Sequence, residues 1–200
     1  LRPGNITSEF NELKLLAQAS GAYKITKDLT FSTQAGMDMT ENTRLFARNP
    51  QSYLAIAATP PGAQFGGLVT ETNDRDFSFN ANTRLNYNKV FKDKHTFDAS
   101  LMTEYFKAHR KVMTYTQTGL DPRTSAPGAG TGYIPFNPAT PTLYRPTVGA
   151  LKQKAGLFSY FGTVDYDYDS KYGFGASVRR DATYRFTDDY KWGTFWSVSG

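Results

Sequence analysis

Asp165, Asp167 and Asp169 alternate as the first oxygen ligands of a calcium-binding loop do, so calcium is the first chemistry they suggest. Counted from Asp165, such a loop needs a glycine at its sixth position and a bidentate glutamate at its twelfth; Ser170 and Ala176 stand there instead. The triplet therefore reads as a hairpin turn. Gly128, Gly130 and Gly132, in the run GAGTG, have the look of a phosphate cradle. No Lys-Ser/Thr ending follows them, no strand pattern precedes them and no helix pattern comes after, which leaves a flexible loop tip. The two histidines, His95 and His109, have no nucleophile near them in sequence and no metal-ligand spacing. Cysteine is absent, which excludes a disulfide framework and thiolate ligation. No carboxylate pair is singled out for glycosidic chemistry. A protein that is not an enzyme, with no cofactor and no metal, is expected.

Two other sets of residues carry chemistry of a binding kind. Phe65, Tyr133, Phe136 and Tyr144 are aromatics in long connections, suited to stacking on sugar rings or anchoring a protein partner. Packing of the loops against themselves is the competing reading and the better supported one. Arg179, Arg180, Asp181 and Arg185 form a dense charged run, whose Arg–Asp pairing reads as structural rather than substrate-binding.

The elements that must position these residues show a period of two. In residues 11–25, Leu13, Leu15, Ala17, Ala19, Tyr23 and Ile25 share one face, against Glu12, Lys14, Gln18, Ser20 and Lys24. Residues 29–39, 76–87, 96–108 and 157–166 alternate in the same way, as do 172–179 and the segment from Trp192 onward. Seven strands are expected, several of about a dozen residues, longer than the five or six usual in soluble sheets and enough for the 9–11 of a tilted bilayer crossing. The connections run short, long, short, long, short, medium; residues 41–73 and 109–156 are the long ones, rich in Pro and Gly, with a short helix expected near 50–58. Transmembrane barrels alternate short periplasmic turns with long extracellular loops in this manner. A soluble β-sandwich or carbohydrate-binding β-domain is the alternative.

Composition agrees with a barrel. Mean hydropathy is negative and no apolar run reaches the ~18 residues of a membrane helix, but barrel strands are only half apolar. Tyr (13) and Phe (15) are abundant among the 200 residues, as aromatic girdles require. The net charge of +5 comes from basic residues scattered over turns and loops, so no nucleic-acid partner is expected. The chain opens LRPGNITSEF, without an initiator Met or an apolar leader, and ends SVSG within a strand pattern. With an odd strand count, where single-chain bacterial barrels have even ones, part of a larger barrel is expected.

The run from Lys171, KYGFGASVRRDATYRFTDDYKWGTFWSVSG, resembles a segment of the SusC/RagA-type TonB-dependent outer-membrane transporters, and residues 158–171 resemble the hairpin before it. The matching positions are Arg179, Arg180, Asp181, Arg185, Phe186, Trp192, Gly193 and Phe195; Ala182, Thr183 and Tyr184 depart from that family's Gly-Ser-Ser. The resemblance implies an all-β fold, antiparallel strands of a barrel of about 22 strands with an N-terminal plug and TonB box outside these residues. It implies an active importer of glycans or peptides in the bacterial outer membrane, capped by a SusD-like surface lipoprotein and powered by TonB-ExbB-ExbD. A SusC-like scaffold subunit that transports nothing is the alternative of the same fold. On that topology the strand ends near Thr40, Asp76, His109, Leu157, Arg180 and Trp192 are extracellular, and the turns near Lys27, Asp93 and Asp169 periplasmic. Small residues Gly173, Gly175 and Ser177 would let the plug approach, and Arg180 at the outer rim would meet lipopolysaccharide phosphates.

Overall fold

The computed structural model describes residues 4–185 and 190–200. Seven strands, β1 (Ile6–Lys24), β2 (Leu29–Arg48), β3 (Leu68–Phe91), β4 (His95–Thr118), β5 (Thr147–Tyr168), β6 (Tyr172–Thr183) and β7 (Trp192–Ser199), form one sheet in the order of the sequence. One short helix, α1 (Tyr53–Ala57), interrupts the β2–β3 connection. It lies inside the expected 50–58 window. Ser52 caps it, its Oγ accepting from the Ala55 N–H at 3.1 Å, and satisfies a donor that a one-turn helix cannot pair internally.

All seven expected strands are present, but β1 to β6 are longer than the alternation predicts: β1 starts at Ile6 instead of 11, and β6 runs on through Arg180 to Thr183. β2 runs to Arg48 instead of ending near 40, β3 starts at Leu68 instead of 76, β4 continues to Thr118 and β5 begins at Thr147. In these extensions no apolar face is required, so alternation gives no signal; cross-strand polar pairs hold them together instead. Thr70 meets Thr116 at 2.9 Å and Thr72 meets Thr114 at 3.0 Å. Arg110 grips Asp74 through two bonds of 3.0 and 2.6 Å, and Arg75 reaches Glu41 at 2.7 Å.

Two of the short turns are two-residue loops with both residues left-handed: Lys92 and Asp93 (φ 50° and 55°), and Asp169 and Ser170 (φ 54° and 55°). Lys94 N–H closes the first on the Phe91 carbonyl at 3.2 Å, and Lys171 N–H the second on Tyr168 at 3.0 Å. This is the hairpin turn whose backbone twist matches that of the flanking strands. In place of glycine, Asp167 steadies the second by accepting from the Ser170 N–H at 2.8 Å.

The chain forms two compact units. The first comprises Leu1–Lys14, Thr40–Asp76 and Arg110–Gln153, and the second Leu15–Met39, Phe77–His109 and Lys154–Gly200. The first unit has a small apolar core of Leu45, Ala47, Val69 and Leu120, with Tyr133 packed against it. The second leaves its apolar face open: Leu101 is 66%, Val178 52% and Trp196 76% exposed. A soluble β-sandwich buries that face against a second sheet. Here, among the described residues, no second layer covers it.

Candidate functional site

Register fixes which side chains share a face. Antiparallel pairing sets Tyr160 opposite Arg180 and Phe161 opposite Arg179 on β5–β6, and Arg179 opposite Phe195 and Ala182 opposite Trp192 on β6–β7. The matching run is therefore divided between two faces. Arg179, Asp181, Gly193 and Phe195 lie on the polar one, Arg180 and Trp192 on the apolar one. Arg185 is in the turn after β6, and Phe186 lies outside the described residues.

On the polar face Arg179 is the hub. Its Nη2 donates to Glu104 at 2.6 Å and to Ser159 at 3.2 Å, its Nε donates to Asp181 at 2.7 Å, and its guanidinium lies 4.8 Å from the Phe161 ring centre. Three strands away, on β3, Arg84 donates twice to the buried Ser100 hydroxyl (3.1 and 2.9 Å), and Asn86 donates to Asp98 and Ser100 at 3.0 Å each. Ser20, Gln34, Asn82, Arg84, Glu104 and Phe161 border one open recess on this face. A face so thoroughly hydrogen-bonded suits contact with water or another polar protein surface, not lipid. Gly175 belongs to it too, and the room its missing side chain leaves is taken by Ser199 Oγ and Asp165 Oδ1. That gives its smallness a purpose inside the sheet.

On the apolar face aromatic rings gather in two bands. Phe158, Tyr160 and Trp192 form one, with ring centres 5.6–6.3 Å apart, and Phe79 with Tyr105 (6.1 Å) adds to it. His95, Tyr166 and Tyr168 form the other, joined by Tyr87 with Phe97, and His95 Nδ1 is 2.6 Å from the Tyr166 hydroxyl. Aliphatic side chains fill the interval: Leu85, Ala99, Leu101, Val164, Ala176 and Val178 line a single shallow recess. Phe158 and Tyr168 bound the interval on β5. Their ten-residue separation is about 33 Å along the strand. Tilted by about 40°, that makes an apolar band ~25 Å tall, the height of the lipid-facing band of an outer-membrane barrel.

The four loop aromatics have different surroundings. Tyr133 packs on the Leu45–Val69–Leu120 core. The Tyr144 hydroxyl accepts from the Phe65 N–H at 3.0 Å, and the Tyr144 ring lies over Gly119. Gln117 Nε2 ties the same loops together by donating to the carbonyls of Thr118, Ile134 and Tyr144 at 2.9–3.3 Å. Phe65, Tyr133 and Tyr144 are thus engaged in loop packing, while Phe136 stays 42% exposed. Sequence reasoning missed Glu104, Arg84 and Gln117; the polar alternation marks the face of the first two, but not their partners.

Beside that core, Asp121 receives the Arg123 guanidinium at 2.7 and 3.0 Å and the Arg123 N–H at 2.9 Å. These bonds, led by the guanidinium's, pull its pKa down to about 2. The folded value lies below the unfolded one of about 3.9, so this stabilisation is complete above pH 4 and lost as pH falls toward 2. Hydrogen exchange at Ser125, whose N–H donates to the Asp121 carbonyl, should stay equally protected from pH 7 to 4 after correction for intrinsic rates, then weaken. Asp121→Asn should abolish that dependence; an unchanged profile in the variant would show that another group controls the turn.

With the geometry described, the fold defines a class: a seven-stranded piece of a large antiparallel β-barrel. More particularly, it is similar in sequence to a TonB-dependent receptor and in fold to the barrel of the RagAB transporter, and the likeness carried by residues 158–200 extends over most of the chain. TonB-dependent receptor P39 of Formosa agariphila is 29% identical over 182 residues, which are 88% of this chain and 16% of that protein. The solved RagAB peptide transporter superposes with a TM-score of 0.75 over 96% of this chain at 21% identity. The RagAB peptide importer in its open-open and closed-closed states gives 0.73 and 0.72, each at 22% identity. This chain spans 20% of each of those chains. No family model matches it.

Proposed function

We propose that these residues are part of the barrel wall of an outer-membrane, TonB-dependent importer. The observation that supports this best is the division of one sheet into an open apolar band between two aromatic girdles and a polar face laced with hydrogen bonds. Lipid rewards the first and a water-filled or plugged lumen the second. In such an importer the plug, the TonB box and the remaining strands are supplied by residues other than these. A SusD-like surface lipoprotein caps the barrel, TonB-ExbB-ExbD powers it, and glycans or peptides are the cargo. The protein catalyses no reaction. Arg179, Asp181 and Glu104 serve to hold the lumen-facing wall, and Phe136 is the loop aromatic left to meet cargo or lipoprotein.

The test uses the full-length protein in its native host. Detergent extraction from the outer-membrane fraction, a heat-modifiable band on SDS gels and co-purification of a lipoprotein are the expected results. Binding of short peptides against oligosaccharides, by calorimetry on the purified complex, then assigns the cargo. A protein that stays folded and monomeric without detergent overturns the membrane reading. One that binds its lipoprotein but no cargo of either class is a scaffold subunit instead.

A further inference from the structure

Just beyond the Phe158–Tyr160–Trp192 band, on the same apolar face, a recess is lined by Lys107, His109, Lys154, Phe158, Tyr184 and Trp192. Lys191 borders it as well, and no carboxylate does among the described residues. Arg180 adds a further cation at its edge. Its guanidinium lies 5.0 Å from the Trp192 ring centre, and its Nη1 donates to the Tyr160 hydroxyl at 3.3 Å.

Resting on the membrane reading above, we propose that this recess binds the phosphorylated head group of an outer-leaflet lipid. Depth selects a lipid: the aromatic band marks the boundary between hydrocarbon and head groups, and a ligand at that level has its acyl chains on the aliphatic strip of Leu101, Val164 and Val178. Charge selects phosphate. The Lys107 and Lys154 ammonium groups and the Arg180 guanidinium, gathered on one apolar face at the interface, are stabilised by an anion that brings several acceptor oxygens. The aromatic walls fit the ring faces of a glycolipid's sugars, as an amphipathic interface residue does.

The experiment uses the full-length protein extracted in a mild detergent, with native mass spectrometry to count bound lipid. Three probes are compared: a bis-phosphorylated lipid A disaccharide, its dephosphorylated counterpart, and inorganic phosphate as competitor. The phosphorylated lipid should be retained and the dephosphorylated one largely lost, a comparison that needs no variant. At about 1 kcal/mol per interfacial cation, Arg180→Ala should weaken retention about fivefold and the double variant Lys107→Ala/Lys154→Ala about 25-fold, with heat-modifiability on gels unchanged. Equal retention of the two lipids, or of wild type and double variant, overturns the proposal while leaving the barrel reading intact. Displacement of the lipid by millimolar phosphate also overturns it, since the site would then take a small anion. A protein that needs no detergent overturns both readings.

Discussion

Gly119→Ala should open the loops of the first unit. Gly119 has a φ of +80°, where an L side chain costs about 1–2 kcal/mol. Its new Cβ would overlap two carbons of the Tyr144 ring. Overpacking of this kind costs about 1–3 kcal/mol more. The ring has little room to retreat, because its hydroxyl is tied to the Phe65 N–H. The Gly119 carbonyl accepts from Ile134 N–H at 3.1 Å, and the neighbouring Leu120 N–H donates to Gly66 at 2.9 Å, so a shift at residue 119 propagates to both loops. A total of about 2–5 kcal/mol corresponds to exchange at the Ile134 and Leu120 amides at least ~30-fold faster, measured by hydrogen-exchange mass spectrometry. Gly130→Ala is the matched control, since Gly130 also has a positive φ (+69°) but nothing within 4 Å of its added carbon. Equal acceleration in the two variants would assign the effect to backbone conformation and refute the ring overlap.

Leu120→Ala should cost a similar amount by the opposite route. Leu120 is 1% exposed and meets Leu45, Val69 and Tyr133 in the apolar core of the first unit. Removing its branched end from a site that cannot collapse costs about 2–5 kcal/mol. Trypsin reports on this directly, because the Arg123–Thr124 bond lies in the loop that Leu120 anchors, whereas Arg145 is protected by the proline that follows it. Cleavage there should accelerate in proportion to the opening equilibrium, about 30-fold or more. Emission from the two tryptophans, Trp192 and Trp196, both in β7, should not move. Unaltered cleavage would mean that hydrogen bonds such as those of Gln117, not the apolar core, hold the loops.

The strands were legible in the sequence wherever their two faces meet unlike surroundings. Phe77, Phe79, Leu85 and Tyr87 alternate with Ser78, Asn80, Arg84 and Asn86 because one set lies on the apolar face and the other on the face where Arg84 and Asn86 are hydrogen-bonded to the next strand. The signal ends where polar pairs such as Thr72–Thr114 replace that contrast, and so did the expected strand ends. The Arg-Arg-Asp run was legible as a motif, but its main partner was not. Glu104 lies 75 positions before Arg179, and only the assembled register brings it within 2.6 Å. The loop aromatics show the same limit. Nothing local to Tyr144 says that its ring will cover a glycine 25 positions earlier, whereas the Pro and Gly breakers around α1 are local, and the helix falls inside the expected 50–58 window.

The two-residue turns at Lys92–Asp93 and Asp169–Ser170 bear on the order in which the chain folds. Each brings two strands together across the shortest loop a hairpin allows, so the entropy of closure is small and pairing can begin before any distant segment arrives. The connections between β2 and β3 and between β4 and β5 close over far longer stretches and depend on a core assembled from several of them. Hairpins are therefore the natural kinetic units, and the loops are completed last. A slip of one residue in either hairpin would turn Arg179 or Glu104 toward the apolar side and Val178 or Tyr105 away from it. Left-handed Lys, Asp and Ser residues in place of glycine narrow the choice of backbone in the unfolded chain, so the turn itself helps reject the wrong register before the rest of the wall exists to enforce it.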